Sequence, residues 1–176
     1  MRENAAEALG LHKPPLSRVL ALLDCDGDEA RVVGGAVRNA LMELPIHEVD
    51  IATTALPDEV LRRAAAAGLK TVPTGIEHGT VTVIVDSVPF EVTTLREDVE
   101  TYGRKAKVAF GRSWQHDAQR RDFTMNALSI SRDGKVHDYV NGLPDIAAGR
   151  VRFVGDAATR IAEDYLRILQ IGRAHV

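Results

Sequence analysis

Apolar and polar positions change period several times along this 176-residue chain, and each change predicts an element. After Pro14-Pro15, Leu16, Val19, Leu20 and Leu23 recur at helical spacing. Residues 30–33 read as a short buried strand, and Gly34-Gly35 as a turn into a helix over 36–43, which Leu44-Pro45 ends. Residues 48–53 read as the next strand. Pro57 opens a helix with Asp58 and Glu59 in its first turn, where the dipole favours them, and Gly68 closes it. Between 80 and 94, Val81, Val83 and Val85 alternate with Thr80, Thr82 and Ile84, and Asp86-Ser87 reads as a hairpin turn. That register sets Val85 against Val88, Val83 against Phe90, and Thr82 against Glu91, leaving Glu91 on a polar face. A polar, glycine-containing loop follows over 97–113, then a helix over 114–122. A second hairpin is expected around Arg132-Asp133-Gly134, then a strand over 150–154 and a helix over 156–169 capped by Asp156. The mixture reads as α/β (α+β) with a small, largely antiparallel sheet.

Residues 1–13 are expected to be a frayed, flexible leader, with one domain over 14–154 and the start of a further helix over 155–169. At 45% hydrophobic residues the chain can bury one core. Its net charge of −3 is not that of a stand-alone nucleic-acid binder. Residues 101–121 nonetheless carry Arg104, Lys105, Lys107, Arg112, Arg120 and Arg121 against Asp117 alone, a local excess of five positive charges. This is either a phosphate contact or a solvated loop. Cys25 is the single cysteine, so no internal disulfide forms, and a reducing, cytoplasmic setting is expected. No signal-peptide pattern opens the chain and no apolar run is long enough to cross a bilayer.

Candidate chemistry gathers in a few segments. Gly34-Gly35 lets backbone approach a ligand, and the helix after it presents free N–H groups to an anion. Arg38 lies within reach of the same anion. A glycine pair at this place is also a common packing turn. Glu48 and Asp50, at i and i+2 of a strand, leave one face together and offer hard oxygen ligands suited to Mg²⁺. Alone they read equally as a polar face; after the glycine turn the metal reading gains. Arg120-Arg121-Asp122-Phe123-Thr124-Met125-Asn126-Ala127 concentrates guanidinium, carboxylate and amide groups. In Glu163-Asp164-Tyr165-Leu166-Arg167, Glu163 and Arg167 are i,i+4 partners, the pattern of a surface ion pair. His78 suits a turn or core histidine better than a general base.

These segments occur in an order that resembles the bacterial tRNA nucleotidyltransferase and poly(A) polymerase family of the polymerase-beta superfamily, over about residues 30–170. GGAVRN…EVDIAT resembles its phosphate-and-metal motif, RRDFTMNA its ribose motif, and EDYLR its base-reading motif. The resemblance implies a nucleotidyltransferase head that adds C and A from CTP and ATP to a tRNA 3′ end, releasing pyrophosphate without a template. It implies that Gly34, Gly35 and Arg38 meet the triphosphate, that Arg121, Asp122 and Asn126 meet sugar and phosphates, and that Asp164 and Arg167 read the base. Glu48 and Asp50 would hold Mg²⁺, with Glu91 the third acidic group. The stretch PTGIEHGTVTV favours the CCA-adding branch, and 97–113 matches the loop the family uses in switching from CTP to ATP. Rival readings are a poly(A) polymerase and a non-catalytic nucleotide-binding module.

The chain departs from the family pattern in three places. Glu48 stands where Asp is usual, Asn39 stands where Asp is common, and the end differs. Ile-Gly-Arg-Ala-His-Val is what a common sequencing adapter encodes in one frame, so residues 170–176 are expected to be read-through rather than native sequence.

Overall fold

In a computed structural model of the chain, residues 2–97 and 109–163 are described. Among the described residues nine strands run β1 Ala30–Val33, β2 Asp50–Thr53, β3 Lys70–Gly75, β4 Thr80–Val85, β5 Val88–Thr94, β6 Arg96–Glu97, β7 Ala109–Phe110, β8 Ser129–Ser131 and β9 Val136–His137. Among the described residues seven helices run α1 Arg2–Leu9, α2 Leu16–Leu23, α3 Gly35–Leu41, α4 Pro57–Ala66, α5 Trp114–Gln119, α6 Gly142–Ala147 and α7 Ala157–Glu163. The main sheet has seven strands in the order β3-β4-β5-β2-β1-β8-β9. Among the described residues its only parallel pair is β2 with β5. A separate two-stranded ribbon joins β6 to β7.

Local signals explain most of these elements. Helix α4 has Pro57 at its start, Asp58 and Glu59 in the first turn, and Gly68 at φ +69° beyond its end. The β4–β5 hairpin adopts the expected register, with Asp86 and Ser87 both at positive φ as a type I′ turn requires. Ser113 caps α5 by accepting from the His116 amide, and the Asp156 carboxylate accepts from the Thr159 amide at the head of α7.

β1 is buried along its whole length because both sheet faces are covered. Ala30 and Val32 join the main core with Ile51, Val81, Val83, Phe90 and Val92 and with residues of α1 to α4. Val33 points the other way, into a second cluster with Ala52, Leu95 and Trp114. Each valine so buried contributes roughly 1.5–3 kcal/mol. By strand alternation Asp50 shares its face with Ala52, opposite the main core.

Four expectations are corrected. The leader at 1–13 is not frayed: α1 packs on α3, with Ala5 and Leu11 in the main core, because Ala5, Leu9 and Leu11 supply an apolar edge. The strand expected from residue 48 begins at Asp50, so Glu48 sits in the connection before it. Residues 150–154 make an isolated bridge, Phe123 to Phe153, rather than a strand; the two rings pack with centroids 4.7 Å apart. Lys70–Gly75, not expected as a strand, extends the sheet edge beside β4.

Candidate active site

One rung of the sheet carries the site. Across neighbouring strands, Thr82 pairs with Glu91, Glu91 with Asp50, Asp50 with Val33, and Val33 with Ser129. Paired residues share a face, so Glu91 and Asp50 stand side by side on the face away from the main core. Beyond Val33 the chain turns at Gly34-Gly35 into α3. The glycine turn therefore adjoins Asp50 because β1 ends where antiparallel β2 begins.

Gly34 has φ +73° and ψ −141°, a conformation open to glycine and strained for other residues. A Cβ at Gly34 would lie 3.6 Å from Arg121 Nη1, and one at Gly35 would lie 3.6 Å from Arg38 Nη2. Two guanidiniums thus flank the turn. Arg38 is only 9% exposed. Its Nη1 donates to Asn126 Oδ1 at 2.7 Å, and its Nε and Nη2 donate to Asn39 Oδ1 at 3.0 and 2.8 Å. Burial lowers its pKa, while Asp122 opposes that shift. Asn126 in turn donates to Asp122 Oδ1 at 3.4 Å, and that oxygen also accepts from the Phe123 amide. Arg38 is thereby joined to Asn126 and Asp122, both far from it in sequence, in one chain of hydrogen bonds.

Arg121 is held by Asp117, which is 4% exposed. Arg121 donates to one Asp117 oxygen and Arg120 to the other. Burial alone would raise the Asp117 pKa, but the charges of Arg121 and Arg120 and their hydrogen bonds outweigh it and hold the carboxyl below the usual range. In the sequence Asp117 stands out only as the lone acid among 101–121. Its i,i+3 and i,i+4 spacing to Arg120 and Arg121 is the signal that would have found it.

The acidic side is open. Glu48, Asp50 and Glu91 are exposed, and together with Thr82 they line a cleft of about 350 Å³. Gly34, Arg38 and Arg121 stand outside its lining. Asp50 retains solvent access as a residue, yet its carboxyl is pushed above the usual range. Loss of water around it is the main cause, followed by the negative charges of Glu91 and Glu48, while Arg121 pulls the other way. Among the described residues no group of three or more His, Cys, Asp or Glu side chains is gathered to hold a metal ion. The donor set still fits Mg²⁺, which takes one or two carboxylates and completes its shell with water and phosphate oxygens. The mutual repulsion felt at Asp50 is of the kind that a cation relieves.

Asn39, the second departure, has a visible role. While accepting from Arg38, it donates through Nδ2 to the Pro45 carbonyl at 2.8 Å. It thereby ties Arg38 to the connection that carries Glu48, which an aspartate could not do by donation. Of the basic residues between 101 and 121, Arg112 pairs with Asp28, while Arg104, Lys105 and Lys107 lie outside the described residues. Asp164 and Arg167 also lie outside them, as do residues 170–176 and most of the 97–113 loop. His78 is exposed on a 3₁₀ turn, Ile76–His78, and does not line the cleft. Among the described residues no helix is long and apolar enough to cross a membrane.

Comparison with known proteins identifies the family. Residues 30–152 match the family described as Poly A polymerase head domain. The mitochondrial CCA tRNA nucleotidyltransferase 1 of Mus musculus is 42% identical over 174 residues, covering 98% of this chain and 40% of the relative. The CCA-adding enzyme of Leuconostoc citreum is 46% identical over 154 residues, covering 86% and 37%. The Bacillus stearothermophilus CCA-adding enzyme in complex with CTP superposes with a TM-score of 0.79 at 39% identity, covering 90% of this chain and 38% of that one. The chain thus spans about 40% of the length of the relatives it matches. The fold, the glycine turn beside paired carboxylates and the extent of these matches together place this chain in the poly A polymerase head domain family.

Proposed function

We propose that this chain is the catalytic head of a tRNA nucleotidyltransferase that adds C and A to the tRNA 3′ end from CTP and ATP. The observation that carries the reading is the shared rung. It sets Asp50 and Glu91 beside the Gly34-Gly35 turn, with Arg121 within electrostatic reach of Asp50 and against that turn. Relatives named as CCA tRNA nucleotidyltransferases and CCA-adding enzymes support the substrate class, and the CTP of the Bacillus stearothermophilus complex supports the nucleotide.

In this reading the tRNA 3′ oxygen bonds to the α-phosphorus as the bond to the β-phosphate oxygen breaks, releasing pyrophosphate. Arg38 and Arg121 meet the triphosphate, and the free amides at the start of α3 add donors. Asp122 and Asn126, already bonded to each other, face the ribose. A divalent cation held by Glu48 and Asp50 would neutralise phosphate charge and make the attacking hydroxyl more acidic. Glu91, exposed beside Asp50, is the candidate acceptor for the hydroxyl proton. Asp164 and Arg167 are proposed to read the base edge, an acceptor and donor pair that rejects bases of the wrong polarity. The proposed setting is the cytoplasm.

The test uses the full-length protein of the same gene, tRNA lacking its terminal nucleotides, and each triphosphate in turn. Incorporation of both CTP and ATP with pyrophosphate release, lost in Glu48→Ala and in Asp50→Ala, is expected. Extension with ATP alone would make the protein a poly(A) polymerase. Triphosphate binding with no Mg²⁺-dependent pyrophosphate release would make it a binding module. Unchanged turnover in either variant would refute the metal assignment.

A further inference from the structure

Arg96 stands at the start of the β6–β7 ribbon, paired with Phe110, where β6 packs against α5. No sequence motif singled it out. Its Nε is buried and has no hydrogen-bond partner, and among the described residues Arg96 makes no ion pair. Its neighbours by charge are Arg120, Asp117 and Arg121. Asp117 already accepts from both other arginines, so these three guanidiniums have one hydrogen-bonded carboxylate between them. Burial and the repulsion of Arg120 and Arg121 weaken the hold of Arg96 on its proton, with only Asp117 opposing. A guanidinium stays charged even so. A half-buried net positive charge costs stability unless an anion completes it. The ledge also has a direction, since Arg121 Nη1 abuts the position of a Gly34 Cβ.

We propose that Arg96 is a phosphate-binding residue of this site, completing with Arg120 and Arg121 a cationic ledge that receives the terminal phosphates of a nucleoside triphosphate. The inference rests on reading Gly34-Gly35 as the phosphate turn. The ledge adjoins that turn through Arg121, and a polyphosphate carries enough charge to balance the net positive charge of this arginine cluster. The leaving pyrophosphate would then depart from the ledge, whose charge is fixed before the substrate arrives.

The probe is inorganic tripolyphosphate, titrated calorimetrically into the 176-residue chain and its variants, with circular dichroism to establish folding. Arg96→Met should weaken binding about ten-fold, and Arg96→Lys should recover most of that loss. The difference between wild type and Arg96→Met should shrink as salt is raised, which a purely structural role would not produce. If Arg96→Met does not fold, Arg96→Gln carries the same expectation, because its amide can still donate to its surroundings. Arg38→Met is the reference. Should it lose binding while a folded Arg96 variant titrates as wild type, the ledge is wrong and the phosphate turn stands. Should Arg38→Met also titrate as wild type, or the wild type not bind at all, the phosphate turn itself falls and Arg96 with it. Unchanged tripolyphosphate binding with weakened binding of a short single-stranded oligonucleotide would overturn the assignment in favour of an RNA backbone contact.

Discussion

On one side of the site, Arg38 is nearly buried and donates to two asparagine side chains, and Arg121 is clasped by a buried aspartate. On the other side, Glu48, Asp50 and Glu91 are exposed, and none of their carboxylates accepts a hydrogen bond among the described residues. The difference follows from charge. A guanidinium can be satisfied by neutral amide oxygens and keep its charge for a ligand, so the phosphate side is built in advance. Three carboxylates cannot be drawn together without a cation, because each raises the cost of ionising the next. The fold therefore fixes the backbone rung beneath Asp50 and Glu91 and, among the described residues, brings no hydrogen-bond donor to the three carboxylates.

The largest effect that tests this contrast is catalytic. Asp50→Asn in the full-length protein should cut nucleotide incorporation at least about a thousand-fold. It should leave the melting temperature equal or slightly higher, since it removes a carboxylate whose ionisation the fold disfavours. A clear loss of stability would mean that the acidic side is structural after all.

Asp117→Asn should do the reverse and act on stability first. It leaves two guanidiniums without their shared anion and should cost about 3 kcal/mol in urea denaturation. Its pH dependence has a definite sign. The folded-state pKa of Asp117 lies below its unfolded value, so ionised Asp117 stabilises the fold above about pH 4. That contribution is lost as pH falls through the folded-state value. The wild-type melting temperature should therefore hold from pH 7 to about pH 5 and drop below about pH 4, with a shallower drop in Asp117→Asn. Equal slopes would remove Asp117 from the account.

Gly34→Ala tests the turn between the two sides. A Cβ there meets no backbone clash, so the cost is conformational, about 2 kcal/mol from forcing a residue other than glycine into this region. Denaturant midpoints measure it, and a neutral substitution would show that the turn tolerates side chains. The smallest effect belongs to Asn39→Asp. A stronger pair with Arg38 offsets the lost bond to the Pro45 carbonyl, so stability should change by less than about 1 kcal/mol. Tripolyphosphate binding should weaken, because Arg38 is neutralised from within. Unchanged or tighter binding in titration would mean that Arg38 does not depend on neutral partners.

Much of this was legible in local pattern. The β4–β5 register, the caps of α4 and α7 and the glycine turn follow from residues close in sequence, where alternation and turn chemistry act directly. The order of residues 1–13 is not legible in local pattern, because their apolar edge is short and gains meaning only when α3 lies beneath it. Glu48 was placed on a strand by its spacing from Asp50, whereas the strand begins where β1 can pair with it, at Asp50. Arg96 gave no sequence signal at all, because a lone arginine after a strand is common and only its neighbours make it unusual.

By itself, then, the sequence determined which groups are present: a glycine pair before a helix, carboxylates at 48, 50 and 91, and arginines at 38, 120 and 121. Only the tertiary structure decided that Glu91 and Asp50 share a rung, that Asn126 joins Arg38 to Asp122, and that Arg96 lies near Arg120 and Arg121 with its Nε unpartnered. The physical reason is range. Helix periods, caps and hairpin turns are settled by residues a few positions apart. The balance of buried charge depends on which strands and helices meet, and in this chain those contacts join residues 38 to 126 and 50 to 91.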